Sequence, residues 1–242
     1  MIDADKLKRG SWMLLGILIL FLALAPSNLP YFWHLFFIIS FLALTWTLYL
    51  IYVCERYTLY MTSLIMSATG SFSLLASSAA YFAAAKFWGK ESVLTAMIGL
   101  SPLALSVLMY LFLASNKPSF HPFEYDGIKV QTRPQTKQSR STVYNPILVA
   151  GITTLAASIF TKVMGALTSG LVATFGLIAC SLTLLFYARH VIRGLRALRI
   201  KEKTMPAPYT FMHIDEIREA RNRWWMGRLL KWITARGRSS DT

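Results

Sequence analysis

Three features of this 242-residue chain predict an all-α integral membrane protein: a six-helix transmembrane bundle carrying a small cytoplasmic loop and basic amphipathic helices at its C-terminal end. Hydrophobic residues make up 55% of the chain and its mean hydropathy is +0.47, which places it among membrane proteins. Apolar runs long enough to cross a hydrocarbon core of about 30 Å follow one another as far as residue 188. Finally, 22 of the 25 lysines and arginines fall in segments that six successive crossings would place on one side.

Residues 1–10 form a basic N-terminal segment with Lys6, Lys8 and Arg9. Ser11 to Ala25 is the first span, only about 22 Å long as a helix, with Lys8 and Arg9 able to snorkel to the headgroups. Ala23-Leu24-Ala25 imitates a signal-peptidase site, but Pro26 would follow the scissile bond and deny it an extended N–H, so the span is expected to be retained. Pro26 and Pro30 enclose an uncharged turn. Tyr31 to Cys54 is the second span, with aromatic rings at both ends as in interfacial belts. Leu59 to Ala85, the third, is rich in Ser, Ala, Gly and Thr, which lets helices approach closely where lipid supplies no hydrophobic drive. Gly70, Ser71, Ser77 and Ser78 are its expected packing residues, joined by Gly151 of a later helix. Val93 to Ala114, with Pro102, completes the four helices of residues 11–114.

Residues 115–146 are the sizeable loop. Phe123–Tyr125 and Ile128–Val130 flank Asp126-Gly127, the signature of a tight β-hairpin. A lone hairpin is marginal in water, so this one must lean on the tail, the lipid surface or another protein. Residues 147–188 are too long an apolar run for one crossing and are expected to turn near Gly165–Gly170, giving helices five and six, with Lys162 snorkelling.

Residues 189–242 are the basic tail. Arg189, Arg193, Arg196 and Arg199 extend the last span as a basic amphipathic helix that Pro206 and Pro208 break. A second helix, Ile214 to Ala235, gathers Ile214, Ile217, Trp224, Trp225, Leu229 and Trp232 on one arc, with Arg218, Arg221 and Arg228 intruding. A dry protein seam disfavours such arginines, whereas a membrane surface accepts rings and guanidiniums together. Arg189, Arg193, Arg196, Arg199, Trp224, Trp225, Arg228 and Trp232 are therefore the expected membrane-surface or partner-binding residues.

Orientation accounts for most of the net charge of +14: the segments placed inside carry 22 basic against ten acidic residues. The reading makes both termini cytoplasmic. The absence of an N-x-S/T sequon fits a bacterial inner membrane.

No constellation of catalytic chemistry emerges. Lys162 is the only fixed charge in the assigned spans, which disfavours ion-coupled transport and intramembrane proteolysis. His213, Asp215, Glu216 and Glu219 cluster, yet no second histidine is within helical reach, and acids at a helix start complement its dipole. Cys54 and Cys180 lie far apart and encode no disulfide framework. No catalytic residue, cofactor or metal is expected. The favoured function is a non-catalytic polytopic inner-membrane anchor or assembly component of an envelope complex. Its partners would be anionic lipid headgroups, a second copy or other membrane proteins. The alternative is an oligomeric channel or passive transporter using the hydroxyls of the third span. An enzyme acting at the membrane face and nucleic-acid binding by the tail are less favoured, since the bilayer is the nearest polyanion.

Overall fold

The computed structural model describes residues 4–24, 32–90, 92–116, 122–132, 146–224 and 227–228, with side chains for all of these except 125, 146–167 and 169. The element order is α1 (Ala4–Ala23), α2 (Phe32–Tyr52), α3 (Tyr57–Trp88), α4 (Val93–Ser115), β1 (Phe123–Asp126), β2 (Lys129–Thr132), α5 (Pro146–Glu202), β3 (Thr210–Phe211) and α6 (Ile214–Arg223). Four helical segments are long and apolar enough to cross a membrane: α2, α3, α4 and Gly170–Glu202 of α5. The protein is a multi-pass membrane protein.

One expectation is corrected. The turn near Gly165–Gly170 does not form: Pro146–Glu202 is a single helix of 57 residues, about 85 Å of helix at 1.5 Å per residue. The glycines that suggested a turn are tolerated, because a helix interior accepts isolated glycine at a cost of about 1 kcal/mol each.

α3 is the centre of the bundle and packs on α1, α4 and α5, whereas α2 lies against α1. Small residues set these approaches. A Cβ on Gly99 of α4 would meet Tyr81 of α3 at 2.9 Å. The α3–α4 connection turns at Gly89, whose φ of +82° suits only glycine, and its carbonyl accepts a hydrogen bond from the Thr95 hydroxyl at 2.7 Å. Pro102 removes one N–H from inside α4. The Ser101 hydroxyl donates to the Ile98 carbonyl that this N–H would have served, at 2.8 Å.

Midway along the bundle Ser73, Ser106 and Ser181, from α3, α4 and α5, bring three buried hydroxyls together at 2.7, 2.9 and 3.1 Å. Each satisfies the others in a setting where no water is at hand. Large apolar side chains of α2 and α4 point outward, as Phe37, Phe41, Leu108 and Phe112 do with more than 60% of their surface free. That is the pattern of lipid-facing helices.

The main hydrophobic core lies at one end. Leu7 of α1, Ile51 of α2, Tyr57 and Tyr60 of α3, Leu198 of α5 and residues of the three strands and α6 converge there. Lys86 and Lys90 mark the opposite end, where α3 stops.

Candidate functional site: the cap at the basic end

Sequence places an aromatic or β-branched residue at alternate positions of each strand, and the cap follows from this. β1 and β2 pair antiparallel from Phe123↔Thr132 to Asp126↔Lys129, so Gly127 (φ +56°) and Ile128 are the loop. The expected hairpin is present, with Asp126 paired in the strand and the turn one residue later than Asp-Gly suggested. β3 adds to β2 in parallel, Lys129↔Thr210 and Val130↔Phe211. The support the hairpin requires is thus the chain's own tail. Phe123 and Val130 point into the core with Tyr209 and Phe211. Phe211 meets the ring of Tyr60 at 5.4 Å and that of Tyr57 at 5.5 Å, both edge to face.

Backbone groups at helix ends are also satisfied here. The Tyr57 N–H, first in α3 and lacking an intrahelical acceptor, donates to the Tyr209 carbonyl at 2.9 Å. Glycine sets the seat of the hairpin: a Cβ on Gly194 of α5 would stand 2.5 Å from the Phe123 ring.

Two arginines close the C-terminal ends of two helices. Arg221 of α6 is 6% exposed. Its Nε donates to the Ile51 carbonyl and its Nη2 to the Cys54 carbonyl, each at 2.8 Å. These lie at the last turn of α2 and just beyond it, where orphan carbonyls and the helix dipole both favour a cation. Arg196 of α5 does the same for α4, donating to the carbonyls of Ala114 and, at 3.2 Å, Asn116. Burial pushes the Arg221 pKa down and that of the Cys54 thiol up. A guanidinium keeps its charge in proteins.

On the rim, Arg218 binds Glu55 through two hydrogen bonds of 2.8 and 2.7 Å, which hold the carboxyl below its usual range. Lys129 of β2 reaches Asp215 of α6 at 2.9 Å and lowers its pKa. His213 precedes α6 and contacts Glu216 at 3.2 Å. Glu219 and Arg223 pair at 2.5 Å with i,i+4 spacing. The acidic cluster thus starts and edges a helix.

The sequence-predicted surface residues divide. Arg189 lies over the Phe186 ring at 4.1 Å, and Arg199 donates to the Thr62 hydroxyl at 2.9 Å. Arg193 is half-buried, and Arg228 donates to the Arg223 carbonyl at 3.1 Å. Trp224 is half-buried, edge-on to Tyr52 at 5.8 Å and beneath the Lys8 ammonium at 4.8 Å. Trp225 and Trp232 lie outside the described residues.

The single amphipathic helix expected from Ile214 to Ala235 stops at Arg223, with Trp224 extended. Its apolar residues Ile214 and Ile217 are buried in the cap. The arginines that argued against a dry seam are accommodated because Arg221 meets helix-end carbonyls and Arg218 a carboxylate.

Of the packing residues, Ser71 is fully buried and bonds back to Ser67 at 2.7 Å. Ser78 bonds to the Leu75 carbonyl at 2.8 Å, and the Ser77 hydroxyl is buried without a described partner. Gly70 has open space where a Cβ would stand. Gly151 falls in α5, its surroundings outside the described side chains. Sequence reasoning missed Ser73, Ser106 and Ser181, which face each other two residues round the helix from Ser71; small polar residues crowd α3, and only the neighbouring helices show which of them converge. It also missed the capping roles of Arg196 and Arg221, which depend on where other helices end. Compared with protein-family models, with curated proteins and with solved structures, the chain shows no match to any of them.

Proposed function

We propose that the protein is a non-catalytic, polytopic inner-membrane anchor or assembly component that presents a rigid cap on the cytoplasmic side. The observation that carries this reading is the employment of Arg221, Arg218, Asp215 and Glu55, which fasten α6 and the sheet to the bundle end. Charged groups at this end serve attachment, and attachment yields a fixed surface for another protein to meet. Anionic lipid headgroups, a second copy of the chain or other membrane proteins are its partners.

The reading keeps both termini at the basic end. Thr132 lies at that end, bonded to Tyr57 at 2.8 Å, and Leu171 lies at the other, lining one pocket with Trp88. The concentration of Lys and Arg at that end supports a cytoplasmic side, and the lack of an N-x-S/T sequon supports a bacterial inner membrane.

The test is purification in a gentle detergent with mass measured by light scattering, together with cross-linking in membranes. The reading expects a homo-oligomer or a defined partner. A lone monomer by both methods would sink it. The channel reading retains one observation, that Ser63, Ser67, Gly70 and Ser71 of α3 line a crevice beside Trp46 of α2. Flux through reconstituted liposomes, reduced by Ser71→Leu, would favour it.

A further inference from the structure

Between the start of α3 and the end of α5, walled by the chain that leads to β3, lies an open cleft of about 480 Å³. Arg56, Arg199 and Lys203 line it with Glu202, over a floor that includes Leu59 and Met205. The carboxylate is already occupied: it accepts the Thr58 hydroxyl on both oxygens, at 3.0 and 3.1 Å, and the Tyr209 N–H at 3.0 Å. The cations are not matched in the same way. Arg199 gives one described bond, to Thr62, out of the five donors a guanidinium carries. Arg56 and Lys203 make no ion pair among the described residues. The lining therefore has an excess of two positive charges. Arg56 also stands as N-cap of α3 with no side-chain cap bond, so the start of that helix borders the same cleft, its first N–H taken by the Tyr209 carbonyl.

We infer that this cleft binds the phosphate headgroup of an anionic phospholipid. The inference rests on the reading that the basic end lies at the cytoplasmic membrane boundary. Phosphate is the chemistry that three cations lining one cleft, against a single carboxylate already engaged, recognise. The lipid source follows from position: the cleft opens where the apolar spans α3 and α5 meet the polar cap, and its floor offers Leu59 and Met205 to the first carbons of an acyl chain. A soluble phosphate would gain nothing from that floor.

The experiment is native mass spectrometry of the full-length protein released from nanodiscs of phosphatidylglycerol and phosphatidylcholine, with inorganic phosphate as a soluble probe. The wild type should retain one phosphatidylglycerol about tenfold more often than one phosphatidylcholine. The triple variant Arg56→Gln, Arg199→Gln, Lys203→Gln should lose that preference at unchanged helicity. The charge-matched variant Lys86→Gln, Lys90→Gln, Arg223→Gln should keep it. Equal losses in both variants would reduce the effect to overall charge and overturn the site. Stabilisation by inorganic phosphate with no retained lipid would overturn the lipid assignment. Retention is read on the mass of a single chain, so this test fails or succeeds independently of whether the protein assembles.

Discussion

The middle of the bundle and its basic end solve the same problem in opposite ways. In the middle, large apolar side chains such as Phe37, Phe41 and Phe112 face outward while small residues and three serine hydroxyls face inward. At the basic end Tyr57, Tyr60, Tyr209 and Phe211 are almost fully buried, and the ion pairs stand on the rim while the buried Arg221 meets helix-end carbonyls. The difference follows from the solvent. Lipid gives no reward for hiding a phenyl ring, so association there depends on close backbone approach and hydrogen bonds. Water rewards burial at roughly 25 cal/mol per Å², so an aromatic core forms where the chain leaves the membrane.

If that contrast is right, substitutions should hurt unequally. Phe211→Ala should have the largest effect, about 3–5 kcal/mol on cap stability, because the ring touches both Tyr57 and Tyr60. Limited proteolysis should then cut the tail while the membrane-embedded fragments survive. Arg221→Ala comes next, at about 2–3 kcal/mol, since it strands two helix-end carbonyls that no other described group serves. Its signature is freer hydrogen exchange at residues 48–55 as well as in α6. In the middle, Ser73→Ala should cost only about 0.6 kcal/mol and at most about 1.7, measured as a small shift in detergent-induced unfolding. A larger loss there would blur the contrast.

The smallest effect concerns pH. The Glu55 carboxyl is held below its ordinary value of 4.5, first by its hydrogen bonds to Arg218. A group lowered on folding stabilises the fold fully above the unfolded value, and that contribution fades as pH falls through the folded one. Protection of α6 from protease should therefore be flat above about pH 4.5 and weaken below it. The change should be modest because exposed ion pairs contribute about 0–1 kcal/mol, and Glu55→Gln should remove part of it.

Much of this fold was legible from the chain. Hydropathy located α2, α3 and α4, because a lipid-facing helix must be apolar nearly all round. Asp126-Gly127 announced the hairpin, since few residues tolerate the backbone of a tight turn. Pro206 and Pro208 separated α5 from α6. What misled was context. Gly165 and Gly170 suggested a turn, but helix geometry tolerates both. Arg221 read as a surface cation, because no sequence pattern says that the carbonyls of Ile51 and Cys54 end beside it. Ser73, Ser106 and Ser181 are separated by 33 and 75 residues, and only the packing of three helices makes them one feature.

The central claim is that the tail folds back as part of the bundle and does not hang from it. Hydrogen–deuterium exchange on the full-length protein in nanodiscs tests this most directly. The N–H groups of Thr210 and Met212 donate to the Ile128 and Val130 carbonyls at 3.0 and 3.1 Å, and that of Ile217 lies within α6. Peptides covering 209–221 should exchange as slowly as the start of α3 and become fast in Phe211→Ala. Fast exchange of those peptides in the wild type, unchanged by the substitution, would contradict the account.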